Sequence, residues 1–89
     1  MEGRRLILAD GTQIENGEAG YSHGFLWCFF KGYTLQQAAS LFFDPSKTCR
    51  IVFQYGEMSD THEGFTVCVN LGIDTDGMVS VCLKEDENA

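Results

Sequence analysis

Short apolar runs separated by turn-forming residues make up most of the chain. Pairs such as Asp10-Gly11 and Asn16-Gly17 divide segments rich in β-branched and aromatic residues, which is typical of short antiparallel strands. A polar stretch at residues 56–64 interrupts the second half and is predicted to be a loop. The pattern predicts about five strands. The first three lie at residues 5–9, 12–15 and 24–31, a long hairpin with arms at 50–55 and 65–73 follows, and the last strand lies at 78–84.

One helix is predicted at about residues 34–43. Thr34 fits the N-cap and Gln37 the third helical position of a capping box, in which each side chain bonds the other residue's backbone N–H. Asp44-Pro45 ends the helix, because the residue before a proline avoids the helical conformation. Residues 1–89 are therefore predicted to form a single α+β domain, a small antiparallel, curled sheet with one short helix. The apolar stripe of the predicted helix comprises Leu35, Ala38, Ala39 and Phe42.

The last two strands can be aligned from their alternation. A two-residue turn at Asp76-Gly77 divides the apolar residues between both faces of the hairpin. A three-residue loop at 75–77 instead collects the large aliphatic residues on one face, with Gly77 in the left-handed conformation. The predicted pairs are Ile73 with Val79, Leu71 with Val81 and Val69 with Leu83, and Asn70 faces Cys82 while Cys68 faces Lys84.

Residues 21–33 hold six of the eleven aromatic residues of the chain. Alternation along a strand directs Phe25, Trp27 and Phe29 to one face and Leu26, Cys28 and Phe30 to the other, so neither face is polar. A strand that is apolar on both faces needs cover on both, either from a sheet that curls over itself or from another molecule. The second alternative predicts a protein-binding aromatic patch formed by Tyr21, Phe25, Trp27, Phe29, Phe30 and Tyr33.

The net charge of −7 is concentrated in the last third of the chain. Residues 1–56 carry five acidic and five basic residues, whereas residues 57–89 carry eight acidic residues and Lys84. Lysine and arginine form no cluster, which argues against direct binding to nucleic acid or to an anionic membrane. The acidic third either keeps the protein in solution or competes for a basic groove on a partner. The acidic residues in question are Glu57, Asp60, Glu63, Asp74, Asp76, Glu85, Asp86 and Glu87.

The sequence favours a non-enzymatic protein without a cofactor or a metal. His23 and His62 are the general-base candidates, and neither lies in a nucleophile motif, a phosphate-binding loop or a zinc-protease motif. The four cysteines show no spacing typical of zinc ligands. Because the N-terminal residues do not resemble a signal peptide, we expect reduced thiols and a cytoplasmic protein. A small hydrolase or metal enzyme that uses His23 or His62 remains the competing hypothesis.

Several segments resemble small proteins encoded by phages and prophages of gut Firmicutes. The segments are LILADGTQIENG near the start, FFDPSKTCRIVFQYGE in the middle, the following EGFT and the closing hairpin. The resemblance implies a phage or prophage origin and, by association with virion assembly genes, a structural component of a tail or head. It implies action in the host bacterial cytoplasm or within a virion, and supplies no catalytic residues.

The leading hypothesis from these observations is a protein-binding module. Its partner is another protein, of phage or host, or a second copy of the chain in a homo-oligomer. The alternative is an acidic anti-defence protein, similar in action to an anti-CRISPR inhibitor, whose carboxylates imitate nucleic acid.

Overall fold

Eight strands form two four-stranded antiparallel sheets in the computed structural model, which describes residues 3–87. The first sheet has the strand order β2-β1-β5-β6 and the second has the order β3-β4-β8-β7. In chain order the elements are β1 (Arg4–Ile7), β2 (Gln13–Glu15), β3 (Glu18–Ser22), β4 (Phe25–Phe30), α1 (Leu35–Phe42), α2 (Pro45–Thr48), β5 (Arg50–Tyr55), β6 (Met58–Glu63), β7 (Val67–Ile73) and β8 (Val79–Lys84).

The α+β class and the antiparallel pairing are confirmed, but the prediction of about five strands in one sheet is wrong. The predicted loop at 56–64 contains β6, which pairs with β5 along its whole length after a turn at Gly56. Apart from Met58 its residues are polar, and most are exposed, so no apolar alternation marks it as a strand. β3 was also missed, because Ala19 and Gly20 are residues that strands disfavour.

The core lies between the two sheets. Leu6 and Ile14 pair across the first sheet, and their buried side chains join those of Leu26 and Val81 from the second sheet in a single hydrophobic cluster. Alternation along β4 is strict, with Leu26, Cys28 and Phe30 buried and the residues between them half-buried. The inward face of this strand is therefore covered by the chain itself.

The helix α1 closes one end of this core. Its capping box is confirmed: Thr34 Oγ1 accepts a hydrogen bond from the Gln37 N–H at 3.0 Å, and the Thr34 N–H donates to Gln37 Oε1 at 2.9 Å. Ala38 and Phe42 are buried, and the Phe42 ring stacks on Phe30 at 5.4 Å between centroids. Leu35, predicted on the same stripe, is exposed.

The predicted alignment of β7 with β8 is correct over its second half only. Ile73 pairs with Val79 and Leu71 with Val81, and Gly77 has a positive φ of 84°. Val69 does not pair with Leu83, because a β-bulge between Cys68 and Asn70 leaves Val69 without an opposite residue. Cys68 consequently faces Leu83 instead of Lys84, which faces Val67.

A cluster of charged side chains joins α2 to the β1–β2 turn. Lys47 Nζ donates to Asp44 Oδ2 at 3.0 Å and lies 3.7 Å from Asp10 Oδ2. Asp44 also caps α2, since its Oδ1 accepts from the Ser46 N–H at 3.0 Å. The Ala9 N–H donates to the Lys47 carbonyl at 2.9 Å, so the turn and the helix are held together by backbone as well as side chains.

We expect acidification to weaken this junction. Hydrogen bonds from Ser46 and Lys47 lower the pKa of Asp44, and the Thr12 N–H lowers the pKa of Asp10. As the pH falls, the unfolded chain therefore takes up protons before the folded chain does. These carboxylates stabilise the fold at pH values above the ordinary carboxyl pKa, and this stabilisation is lost as the pH falls through their lowered pKa values. When the pH is lowered below about 4, the free energy of unfolding measured with urea should fall less in Asp44→Asn than in the wild type.

Asparagine retains N-capping ability, so this variant removes the charge more than the cap. Glu57→Gln is the matched control, since it removes one carboxylate from an exposed turn of the β5–β6 hairpin. Equal acid sensitivity of Asp44→Asn and the wild type would contradict a role for the Asp44 carboxylate.

Candidate protein-binding surface

The second sheet has one side turned away from the hydrophobic cluster, which we call the outer face. Strand register assigns its residues, since directly opposed residues share a face. Trp27 is flanked by Gly20 on β3 and Cys82 on β8, and Cys82 in turn faces Asn70 on β7. The outer face comprises Glu18, Gly20, Ser22, Phe25, Trp27, Phe29, Ser80, Cys82, Lys84, Val67, Asn70 and Gly72.

Three aromatic side chains follow one another along the middle of the outer face. Phe25, Trp27 and Phe29 occupy alternate positions of β4 and are all half-buried. The Trp27 and Phe29 rings are nearly parallel, with an interplanar angle of 8° and centroids 6.4 Å apart. Together they form a continuous apolar row on a central strand.

The outer face is open at two glycine positions. A Cβ atom placed on Gly20 or on Gly72 would have no atom within 4 Å apart from those of the neighbouring residues in the chain. No part of the described chain therefore packs over the outer face at these two positions. Gly20 directly borders Trp27 on β3, whereas Cys82, the neighbour of Trp27 on β8, is 4% exposed.

The six aromatic residues predicted as a patch do not share one surface. Phe30 belongs to the core, where it is 1% exposed, because it has the inward parity of β4. Tyr33 packs edge-to-face against it at 5.2 Å. Tyr21 is 56% exposed but faces the inner side, opposite Leu26, with its ring 5.7 Å from Phe65. The structure thus brings together Phe25, Trp27 and Phe29 only.

Sequence reasoning missed the small residues that border the aromatic row. Gly20 could have been found from the Ser22-His23-Gly24 turn, since a turn there folds the preceding segment back onto β4. Gly72, Ser80 and Cys82 follow from alternation on the last hairpin. That these residues share one face with Trp27 becomes evident only once β4 is known to pair with β8.

The acidic residues are distributed over separate parts of the molecule. Asp74 and Asp76 lie in the β7–β8 turn, where Asp74 Oδ1 accepts from the Asp76 and Met78 N–H groups at 2.9 Å. The acidic run 85–87 follows the opposite end of β8, whose six residues span about 20 Å. It lies close to the end of the β5–β6 hairpin, since the Asp86 N–H donates to the Gly64 carbonyl at 3.3 Å. Glu57, Asp60 and Glu63 belong to that hairpin.

The two histidines contact neighbouring side chains, and the cysteines are free thiols. His23 lies in the β3–β4 turn with its Nδ1 2.8 Å from Ser22 Oγ, and the His62 ring meets the edge of Phe65. All four cysteines are free, and burial raises the pKa of the Cys28 thiol to about 12. Across residues 3–87, no group of three His, Cys, Asp or Glu side chains is arranged to hold a metal ion.

Comparison with known proteins gives no family for the chain. No protein-family model matches it, and neither a curated protein nor a solved structure matches it. Among residues 3–87, no helix combines the length and the apolar character that crossing a bilayer requires.

Proposed function

We propose that this protein is a non-enzymatic binding module that attaches to a partner protein through its outer face. The observation that carries the proposal is the row of Phe25, Trp27 and Phe29 on a sheet surface that is open at Gly20 and Gly72. Contiguous apolar surface of this kind marks interaction sites in folded proteins. Tryptophan is also among the residues that contribute most to binding energy.

The polar groups around the aromatic row suit the rim of an interface. Glu18 and Lys84 lie at opposite ends of the outer face, and Arg4 Nη1 pairs with Glu18 Oε1 at 3.1 Å. Protein interfaces commonly have an apolar centre surrounded by polar groups that set orientation. The partner that fits is a flat protein surface with apolar side chains at its centre.

The resemblance to phage-encoded proteins supports a partner among phage or host proteins. A tail or head subunit is the proposed class, since the resembling proteins are associated with virion assembly genes. The acidic alternative has weaker support, because its carboxylates lie at both ends of β8 instead of forming one surface.

Trp27→Thr tests the proposal. Threonine keeps β-strand propensity but removes the indole ring, so we expect at least about tenfold weaker binding to a partner captured with the full chain from prophage-bearing cells. Tyr21→Thr is the matched control, because it removes an exposed ring of the adjacent strand from the inner side. Its expected change in affinity is less than about twofold.

The comparison is made by calorimetric titration of each purified variant with the captured partner. Circular dichroism verifies that both variants fold. A folded Trp27→Thr variant that binds as tightly as the wild type would exclude the outer face as the binding surface. Raising the salt concentration to about 0.5 M should have little effect on an aromatic interface, whereas binding through the carboxylates would weaken steeply.

A further inference from the structure

The four edge strands of the two sheets differ in how far other parts of the chain cover them. The edges are β2 and β6 in the first sheet and β3 and β7 in the second. β2 has only three residues, β3 lies against β1 and β5, and β7 contacts α1 and contains the bulge. β6 has six residues, five of them exposed, and pairs with β5 without a register shift. Among the described strands, β6 therefore offers the longest free edge that is both regular and exposed.

The backbone groups that point outward from β6 follow from its pairing with β5. The Gly64 N–H donates to the Cys49 carbonyl at 2.9 Å, and these two residues continue the register of the ladder. Hydrogen-bonded and non-hydrogen-bonded pairs alternate in an antiparallel ladder, so every second residue counted back from Gly64 bonds to β5. The residues between them point their N–H and C=O groups away from β5, and these residues are Ser59, Thr61 and Glu63. Within residues 3–87, their backbone groups make no hydrogen bond to a segment outside the ladder.

Carboxylates surround this free edge. Asp60 lies in the middle of β6, where its Oδ2 accepts a hydrogen bond from the Tyr55 hydroxyl at 3.2 Å. Glu57 precedes the strand, Glu63 ends it, and the acidic run 85–87 lies close to that end. β6 itself contains no lysine or arginine. Such an edge repels a second copy of this acidic chain and attracts a strand that carries basic residues.

We propose that β6 binds an extended, basic segment of another protein as an additional strand of the first sheet. The segment runs antiparallel, which is the more stable direction per residue, and exchanges backbone hydrogen bonds with Ser59, Thr61 and Glu63. A lysine or arginine opposite Asp60 pairs with its carboxylate, and a second one faces Glu63 on the other side of the sheet. Met58, which is 62% exposed and on the same side as Asp60, receives an apolar side chain. The proposal does not depend on the function proposed for the outer face.

The test is an NMR titration of the isotope-labelled full chain with the acetylated and amidated peptide Lys-Val-Thr-Lys-Thr-Phe. Aligned antiparallel to β6, this peptide places its lysines opposite Glu63 and Asp60 and its phenylalanine opposite Met58. We expect saturable binding with the largest amide shifts at residues 58–63. The same peptide with glutamate in place of both lysines is expected to bind at least about tenfold more weakly.

N-methylation of the peptide separates strand addition from attraction between charges alone. A methyl group on the nitrogen of the first threonine removes the N–H that faces Thr61, so we expect the dissociation constant to rise at least about tenfold. A methyl group on the nitrogen of the valine is the matched control, because that N–H points away from β6, and the expected change is less than about threefold. Both measurements use the wild-type protein, so neither depends on the folding of a variant.

Asp60→Asn tests the charge on the protein side. Asparagine still offers an oxygen to the Tyr55 hydroxyl, and we expect the peptide to bind about fivefold more weakly. Asp76→Asn, which removes one carboxylate from the distant β7–β8 turn, is expected to change the dissociation constant by less than about twofold.

Four results would each overturn the proposal. They are a wild-type protein that does not bind the lysine peptide, amide shifts centred outside residues 58–63, equal effects of the two N-methyl groups, and binding insensitive to Asp60→Asn. Trp27→Thr is expected to bind the peptide as tightly as the wild type does, which separates this proposal from that for the outer face.

Discussion

Phe42→Ala is expected to lower the free energy of unfolding by about 3 to 5 kcal/mol. Phe42 is fully buried, stacks on Phe30 and is the large side chain that anchors α1 in the core. Truncation leaves a cavity between helix and sheet, and a helix of eight residues is not stable without packing. Since domains of this kind have about 5 to 15 kcal/mol of stability, the loss is a large fraction of the total.

Phe43→Ala provides the matched control at the adjacent position. Phe43 is 60% exposed at the C-cap, so its truncation is expected to change stability by less than about 0.5 kcal/mol. Urea denaturation followed by circular dichroism gives both values. Similar losses for the two phenylalanines would show that α1 does not pack through Phe42.

Gly17→Val is expected to cost about 2 to 3 kcal/mol through overpacking. Gly17 is buried, and a Cβ atom at this position would lie 3.0 Å from Leu6 Cγ and 3.4 Å from Ile14 Cγ2. Both leucine and isoleucine are fully buried in the core, so neither has free space to move into. Valine adds two further methyl groups at the same point.

Gly20→Val is the control for replacing a glycine in this region. Gly20 lies on the outer face, where an added Cβ meets nothing beyond its chain neighbours, so stability is expected to change by less than about 0.5 kcal/mol. Thermal unfolding of the two variants compares them directly. A Gly17→Val protein as stable as the wild type would mean that Leu6 and Ile14 can repack.

The role of Gly17 shows what a turn motif leaves undetermined. The Asn16-Gly17 pair predicts a turn, and a turn lies there, but the left-handed residue is Asn16, with φ of 63°. Gly17 is required for space against Leu6 instead of for its conformation. This distinction depends on packing between distant residues, which a dipeptide pattern does not contain.

Local chemistry was the most reliable guide to the fold. The capping box of α1 and the alternation of β4 depend on neighbouring residues, and both were predictable. β6 was not, because a polar edge strand is defined by its pairing with β5 and not by its own pattern. The bulge at Val69 likewise depends on how β7 meets β8.

The candidate surface was predictable in part for the same reason. Strand parity separates Trp27 from Phe30, so the central aromatic row follows from the sequence once β4 is known. Tyr21 and Tyr33 could not be assigned to a face, because their positions depend on the missed strand β3 and on the loop before α1. The openness of the surface depends on the position of α1, which contributes to the core and not to the outer face.

The two sides of β4 are open to different kinds of change. Leu26, Cys28 and Phe30 are enclosed in the interior, whereas the residues at 25, 27 and 29 are half-buried and lie outside the hydrophobic cluster. On the function proposed above, substitutions at these three positions are expected to change which partner is bound more than they change the fold. A combinatorial library that varies only residues 25, 27 and 29 would select for binding while keeping every core residue of β4 unchanged.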